Sequence, residues 1–100
     1  MIKKESEFKS ELYKEIRECL PGSEVLINDA NYIQGIPDAT VIFPNGRYVL
    51  LEGKKTSSSK KRPNQGYYVE ESPLSNNAMF VYPENKDEVL SELERRYRLV

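Results

Sequence analysis

The chain has 100 residues, 38% of them hydrophobic and 31% charged, with a net charge of −1; it reads as one globular domain, too short for two, without an apolar run of the ~20 residues needed to cross a membrane. Near-neutrality argues against a protein that coats nucleic acid through bulk charge. There is no histidine and one cysteine, Cys19, which excludes Ser-His-Asp triads, Cys/His zinc sites and internal disulfides, and leaves hydrolysis to carboxylates, lysines and bound metal.

Lys3 and Lys4 are not followed by an apolar stretch, so the beginning does not read as a secretory signal, and a lone cysteine fits a reducing, cytoplasmic setting. From Lys4 to Leu20 the residues Phe8, Leu12, Ile16, Cys19 and Leu20 recur at helical spacing, and Pro21-Gly22 ends the helix. Glu24–Asn28 predicts a short buried strand, followed by a polar loop from Asp29 to Gly35. Asp38–Phe43 and Arg47–Glu52 are β-rich runs around Pro44-Asn45-Gly46, and Asn-Gly between such runs predicts a hairpin. Thr56–Lys61 reads as a flexible loop; Pro63 opens a short helix with Gln65, Tyr68 and Val69 on one face, and Pro73–Asn77 breaks it. Ala78–Tyr82 predicts a fourth strand. Asn85, with Glu88 three residues on, predicts the cap of a last helix that runs to about Tyr97 and buries Val89, Leu90, Leu93 and Tyr97. The order α-β-β-β-α-β-α predicts an α/β domain with a mixed sheet covered by helices.

The hairpin brings Asp38, at the start of one strand, beside Glu52, at the end of the next. Pairing about Asn45-Gly46 puts Asp38 opposite residue 53. Strand alternation sets Glu52 and Lys54 on one face, so Asp38, Glu52 and Lys54 converge. Two facing carboxylates repel, and a hard divalent cation such as Mg²⁺ or Mn²⁺ offsets that repulsion. Such a cation, with Lys54 to orient water or neutralise charge on a phosphate, suits phosphodiester hydrolysis. The spacing alone also fits an ordinary Glu52–Lys54 ion pair and a strand-entry aspartate.

The segment GIPDATVIFPNGRYVLLEGKK, with Pro37-Asp38 and Glu52-Gly53-Lys54 as its halves, resembles the core of the PD-(D/E)XK nuclease superfamily. With KESEF, NDANYIQGIPD, PNQGYYVE and FVYPENK, the chain is similar to the stand-alone VRR-NUC nucleases, many of them phage-encoded and resolvase-like. The resemblance spans nearly the whole chain and implies a restriction-endonuclease-like fold. It implies that Asp38, Glu52 and the Gly53 carbonyl bind metal and that Lys54 is the catalytic lysine. A glutamate on the first helix is implied as a further ligand. Glu5 is the candidate because it shares a face with Phe8, Leu12 and Ile16, whereas Glu7, Glu11 and Glu15 lie further round; a frayed, solvated terminus is the alternative.

Gln65 matches the family's glutamine after the ExK strand, which holds a catalytic side chain or touches nucleic acid. Tyr68 shares its face and fits substrate contact or the core equally. Gln34 and Tyr32 border the site or serve only local hydrogen bonding. Lys55, Lys60, Lys61 and Arg62 follow the catalytic strand without an intervening acid and suit phosphate contact. The expected function is a metal-dependent DNA endonuclease, acting as a homodimer in the cytoplasm (the host's, where a phage encodes it). The alternatives are a catalytically silent DNA-binding module of the same fold, or an interaction protein that uses some of its seven tyrosines.

Overall fold

The first helix, α1 (Glu5–Cys19), forms where the apolar spacing predicts, with Glu5 and Glu7 in its first turn and Arg17 in its last, matching the helix dipole. Phe8, Leu12, Tyr13, Ile16 and Leu20 are buried. Cys19 is exposed, a correction to its assignment to the apolar stripe: the 100° step keeps it in the arc of Phe8 and Leu12, but it is the last residue of α1. Gly22, at φ 87°, makes the left-handed turn out of the helix. The computed structural model describes residues 4–29, 31–59 and 66–99.

Four strands follow, β1 (Glu24–Ile27), β2 (Ala39–Ile42), β3 (Tyr48–Gly53) and β4 (Ala78–Val81), in one sheet of order β1-β2-β3-β4. The first two pairings are antiparallel and β3–β4 is parallel, so the sheet is mixed, as the α/β reading expects. β1 was expected to be buried, yet it lies at the edge with only Val25 covered and Ile27 65% exposed. Among the described residues it pairs only with β2, so its outer edge is left open.

The hairpin register differs by one residue from that of a two-residue Asn-Gly turn. The loop is Pro44-Asn45-Gly46, closed by Gly46 N–H to Phe43 O at 2.9 Å and Phe43 N–H to Arg47 O at 2.8 Å. Gly46, at φ 86°, takes the left-handed position that ends a three-residue hairpin. Ala39 therefore pairs with Leu51, and one step further Asp38 falls opposite Glu52 rather than residue 53. Asn45 explains why the turn is longer: its amide donates to Arg96 O (3.0 Å) and Leu99 O (2.9 Å), while its Oδ1 accepts from Arg47 N. The turn is thus stitched to the end of the last helix.

That helix, α2 (Lys86–Tyr97), buries Val89 and Leu93, with Leu90 and Tyr97 packed at the margin. Asn85 takes the N-cap position, as predicted, but its side chain makes no capping bond. Its side chain instead accepts from Tyr82 N–H (2.9 Å) and donates to Phe80 O (3.1 Å), tying the Pro83–Asn85 3₁₀ turn to β4. The apolar faces of α1 and α2 meet Val25, Ala39, Val41, Phe43, Val49, Leu51 and Val81 in one core. Each fully buried Val, Leu, Ile or Phe side chain among them stabilises the fold by roughly 1.5–3 kcal/mol.

Leu50 and Ala78 are buried on the other parity of the sheet, where the segment between β3 and β4 packs. The predicted middle helix is, among the described residues, a single π-helical turn, Tyr67–Glu71, closed by Ser72 N–H to Tyr67 O at 2.7 Å, followed by a 3₁₀ turn at Ser75–Asn77. The predicted helix start at Pro63 lies outside the described residues. No helix among those described is long and apolar enough to cross a membrane.

Candidate active site

The segment that carries Asp38 is held from β1. Asn28 N–H donates to Asp38 O at 2.7 Å, and the Asn28 side-chain amide donates to Pro37 O and Thr40 Oγ1, both at 3.0 Å. Asp29 accepts from Asn31 N–H at 2.8 Å in an Asx turn, and Gly35 (φ 81°) lets the loop return into buried Pro37. The Asp38 carboxylate then crosses to β3, where its Oδ2 accepts from Gly53 N–H at 3.0 Å.

Glu52 is 2% exposed and Lys54 6%, although both types are almost never buried without a reason. They share a parity of β3, and Lys54 N–H continues the ladder to Val81 O at 2.8 Å. Burial, then the charge of Asp38, pushes the Glu52 carboxyl up to about 7; Lys54 and Lys9 partly offset the rise, and a hydrogen bond with Asp38 adds to it. Glu52, desolvated beside Asp38, thus resists ionisation near neutrality.

The spacing did not identify Lys9. Its ammonium lies 2.6 Å from Asp38 Oδ2 and 3.1 Å from Glu5 Oε2. Burial alone would lower the Lys9 pKa, but hydrogen bonds and charge from Asp38 and Glu5 outweigh it and raise the value. Glu5 therefore joins Asp38 through Lys9 rather than directly. The i, i+4 step from Glu5 to Lys9 was the signal available in the sequence. One further turn along, the Tyr13 hydroxyl is buried without a hydrogen-bond partner among the described residues. Burial and then the charges of Asp38, Glu52 and Glu5 push its pKa upward, so it stays a neutral phenol beside the acids. Asn28 and Tyr13 also went unrecognised, since a strand-end asparagine and a core tyrosine carry no motif.

Beyond the strand, Lys55 is exposed. The loop predicted to be flexible is anchored over its described part: Ser57 donates its N–H (3.0 Å) and its hydroxyl (2.8 Å) to Glu84 Oε2, and both bonds hold that carboxyl below its usual range. Gln34 and Tyr32 are exposed on the loop before Pro37, Tyr32 at 88%. Tyr68 is half-buried and meets Tyr67 edge-on at 5.3 Å between ring centroids. Gln65, Lys60, Lys61 and Arg62 lie outside the described residues.

Among the described residues no group of three or more His, Cys, Asp or Glu side chains forms a metal cage. The donors brought together are Asp38 and Glu52, with the Gly53 backbone between Glu52 and Lys54, while Glu5 stands one lysine away. That set still fits Mg²⁺, which is commonly held by one or two carboxylates and otherwise by water and substrate phosphate. The pair already attracts a cation, since a lysine ammonium sits on it. No family model, curated protein or solved structure matches the chain.

Proposed function

We propose that the chain is a metal-dependent DNA endonuclease of the PD-(D/E)XK kind, close to the stand-alone VRR-NUC nucleases, with a restriction-endonuclease-like fold. The observation that carries the reading is the buried Glu52 carboxyl, raised to about 7 beside Asp38, with buried Lys54 two residues on. Burying Glu52 and Lys54 beside a half-buried Asp38 does little for stability alone, because desolvation of such charges often costs more than their pairing returns. Perturbed, convergent groups of this sort mark working sites.

In this reading Asp38 and Glu52, with the Gly53 carbonyl, hold a Mg²⁺ or Mn²⁺ ion. Bound there, the ion supplies Lewis acidity towards a phosphodiester. Lys54 offsets negative charge that develops on the phosphate and orients the attacking water. Glu5 and Lys9 position Asp38 from α1, and Gln65 completes the polar surround. Lys55, Lys60, Lys61 and Arg62, with Gln34 and Tyr68 at the margin, take phosphates without reading sequence. Selectivity then comes from DNA shape, such as nicks, flaps or junctions.

A homodimer belongs to the same proposal. It would supply two sites and a larger footprint, and edge strand β1 exposes Leu26 and Ile27; sedimentation at monomer mass across micromolar concentrations would remove it. The protein should nick or cut at least one of plasmid, linear, single-stranded or branched DNA with Mg²⁺ or Mn²⁺, and none with EDTA. Metal-independent DNA binding without cleavage would instead favour a silent binding module of the same fold.

A further inference from the structure

We propose that Lys9 is the resident counter-cation of the Asp38–Glu52 pair, and that displacing its ammonium sets how tightly the site takes a divalent cation. The inference rests on the metal-dependent reading of this site. Asp38 Oδ2 accepts from Gly53 N–H at 3.0 Å and from Lys9 Nζ at 2.6 Å. An ammonium at that distance occupies the space and the charge that a cation on the same carboxylate requires. Two cations cannot share it without strong repulsion.

The lysine reaches Asp38 because residue 53 is glycine. A Cβ at position 53 would stand 2.8 Å from Lys9 Cγ and 3.0 Å from its Cε, closer than carbon atoms tolerate. The stem of Lys9 therefore runs through the space a β3 side chain would fill, from the α1 face towards the carboxyl pair. This gives the middle residue of Glu52-Gly53-Lys54 a physical task that the motif's spacing does not express. Glu5, 3.1 Å away on the preceding turn, holds the ammonium from the other side. The Lys9 side chain keeps 21% of its surface exposed, so it has a way out when a metal arrives. Without metal, Lys9 offsets the charges of Asp38 and Glu5, which it pairs, and favours the ionised form of Glu52. With metal, it becomes the competitor.

The test is calorimetric titration of MnCl₂ into EDTA-treated wild type, Lys9→Gln and Lys9→Arg, at one pH and ionic strength, each checked for a cooperative thermal melt. Lys9→Gln should bind Mn²⁺ more tightly by about ten-fold or more, the effect of removing one neighbouring unit charge softened by solvent. Lys9→Arg, which keeps the charge, should stay near wild type. Lys9→Met, which keeps the stem against Gly53, replaces Lys9→Gln should the latter not fold. Equal or weaker Mn²⁺ binding by the uncharged variant overturns the inference and leaves the metal site standing. Absence of binding in every protein overturns the metal-dependent reading itself, and this inference with it.

Discussion

Two glutamates at opposite ends of the molecule are driven in opposite directions. Glu52, at the end of β3, is buried beside Asp38, and its carboxyl rises to about 7. Glu92, on α2, receives hydrogen bonds from Arg95 (2.7 Å) and Arg96 (2.6 Å), and its carboxyl falls to about 2. The region near Glu92 also has a cleft of about 340 Å³ lined by Arg47, Tyr48, Asn76, Asn77, Arg95 and Arg96 among others. A cleft alone would suggest a site there, but its chemistry does not. Arg95 and Arg96 are already paired with Glu92, Arg96 also bonds Asn76 O at 3.2 Å, and the cluster ties α2 to the segment before β4. Surface pairs of this kind settle a fold cheaply. At Glu52 the carboxyl is held away from water and beside the charge of Asp38, the contrast on which the proposed metal site rests.

The contrast breaks most sharply in activity. Asp38→Asn or Lys54→Ala should lower DNA cleavage by at least about a hundred- to a thousand-fold, the loss usual for one preorganised electrostatic partner. Arg95→Gln should leave the rate within about two-fold, as expected for a solvated pair. Rate measurements on one DNA substrate decide between them, and equal losses would merge the two regions.

Next comes stability against pH in EDTA. The folded pKa of Glu52 lies above its ordinary value, so the folded state holds the proton more tightly. This contribution is present below about pH 4.5 and is lost as pH rises through about 7. Glu52→Gln should therefore stabilise the metal-free protein at pH 8 by on the order of 2–3 kcal/mol, seen in urea unfolding. A Glu52→Gln protein less stable than wild type there would show that the acid supports the fold. Glu92 works the other way. Its contribution is present above about pH 4.5 and is lost as pH falls through about 2.

A smaller effect comes from Asn28, beside the Glu52 region, whose amide holds Pro37 and Thr40. Asn28→Ala should cost about 1–2 kcal/mol by removing hydrogen bonds to partly buried acceptors. It should also lower cleavage several-fold by loosening Asp38, measured as a fall in kcat larger than any change in KM. The smallest effect is Glu92→Gln at pH 7, under about 1 kcal/mol by thermal melting.

Much of the architecture was legible in the sequence because apolar periodicity is local. The Phe8–Leu12–Ile16 stripe, the alternation through Val41, Val49 and Leu51, and the Val89–Leu93 pair all enter the core. The one-residue error in register came from reading Asn45-Gly46 as a two-residue turn, when Asn45 is occupied by carbonyls of Arg96 and Leu99, distant in sequence. Burial of β1 was misjudged because Leu26 and Ile27 read as core types, whereas strand order, which no local pattern encodes, leaves them at the edge. The nearness of Asp38 and Glu52, with Lys54 on the parity of Glu52, was legible in hairpin geometry and alternation. Lys9 was not, since its place depends on α1 crossing Gly53, a tertiary contact.

The most direct test of the central claim is single-turnover cleavage of a plasmid and a branched DNA by wild type and Lys54→Ala, with Mg²⁺, Mn²⁺ or EDTA and with matched circular dichroism. Cleavage that requires the metal and disappears with the Lys54 ammonium is the result predicted. Cleavage that survives Lys54→Ala, or proceeds equally in EDTA, would contradict the account.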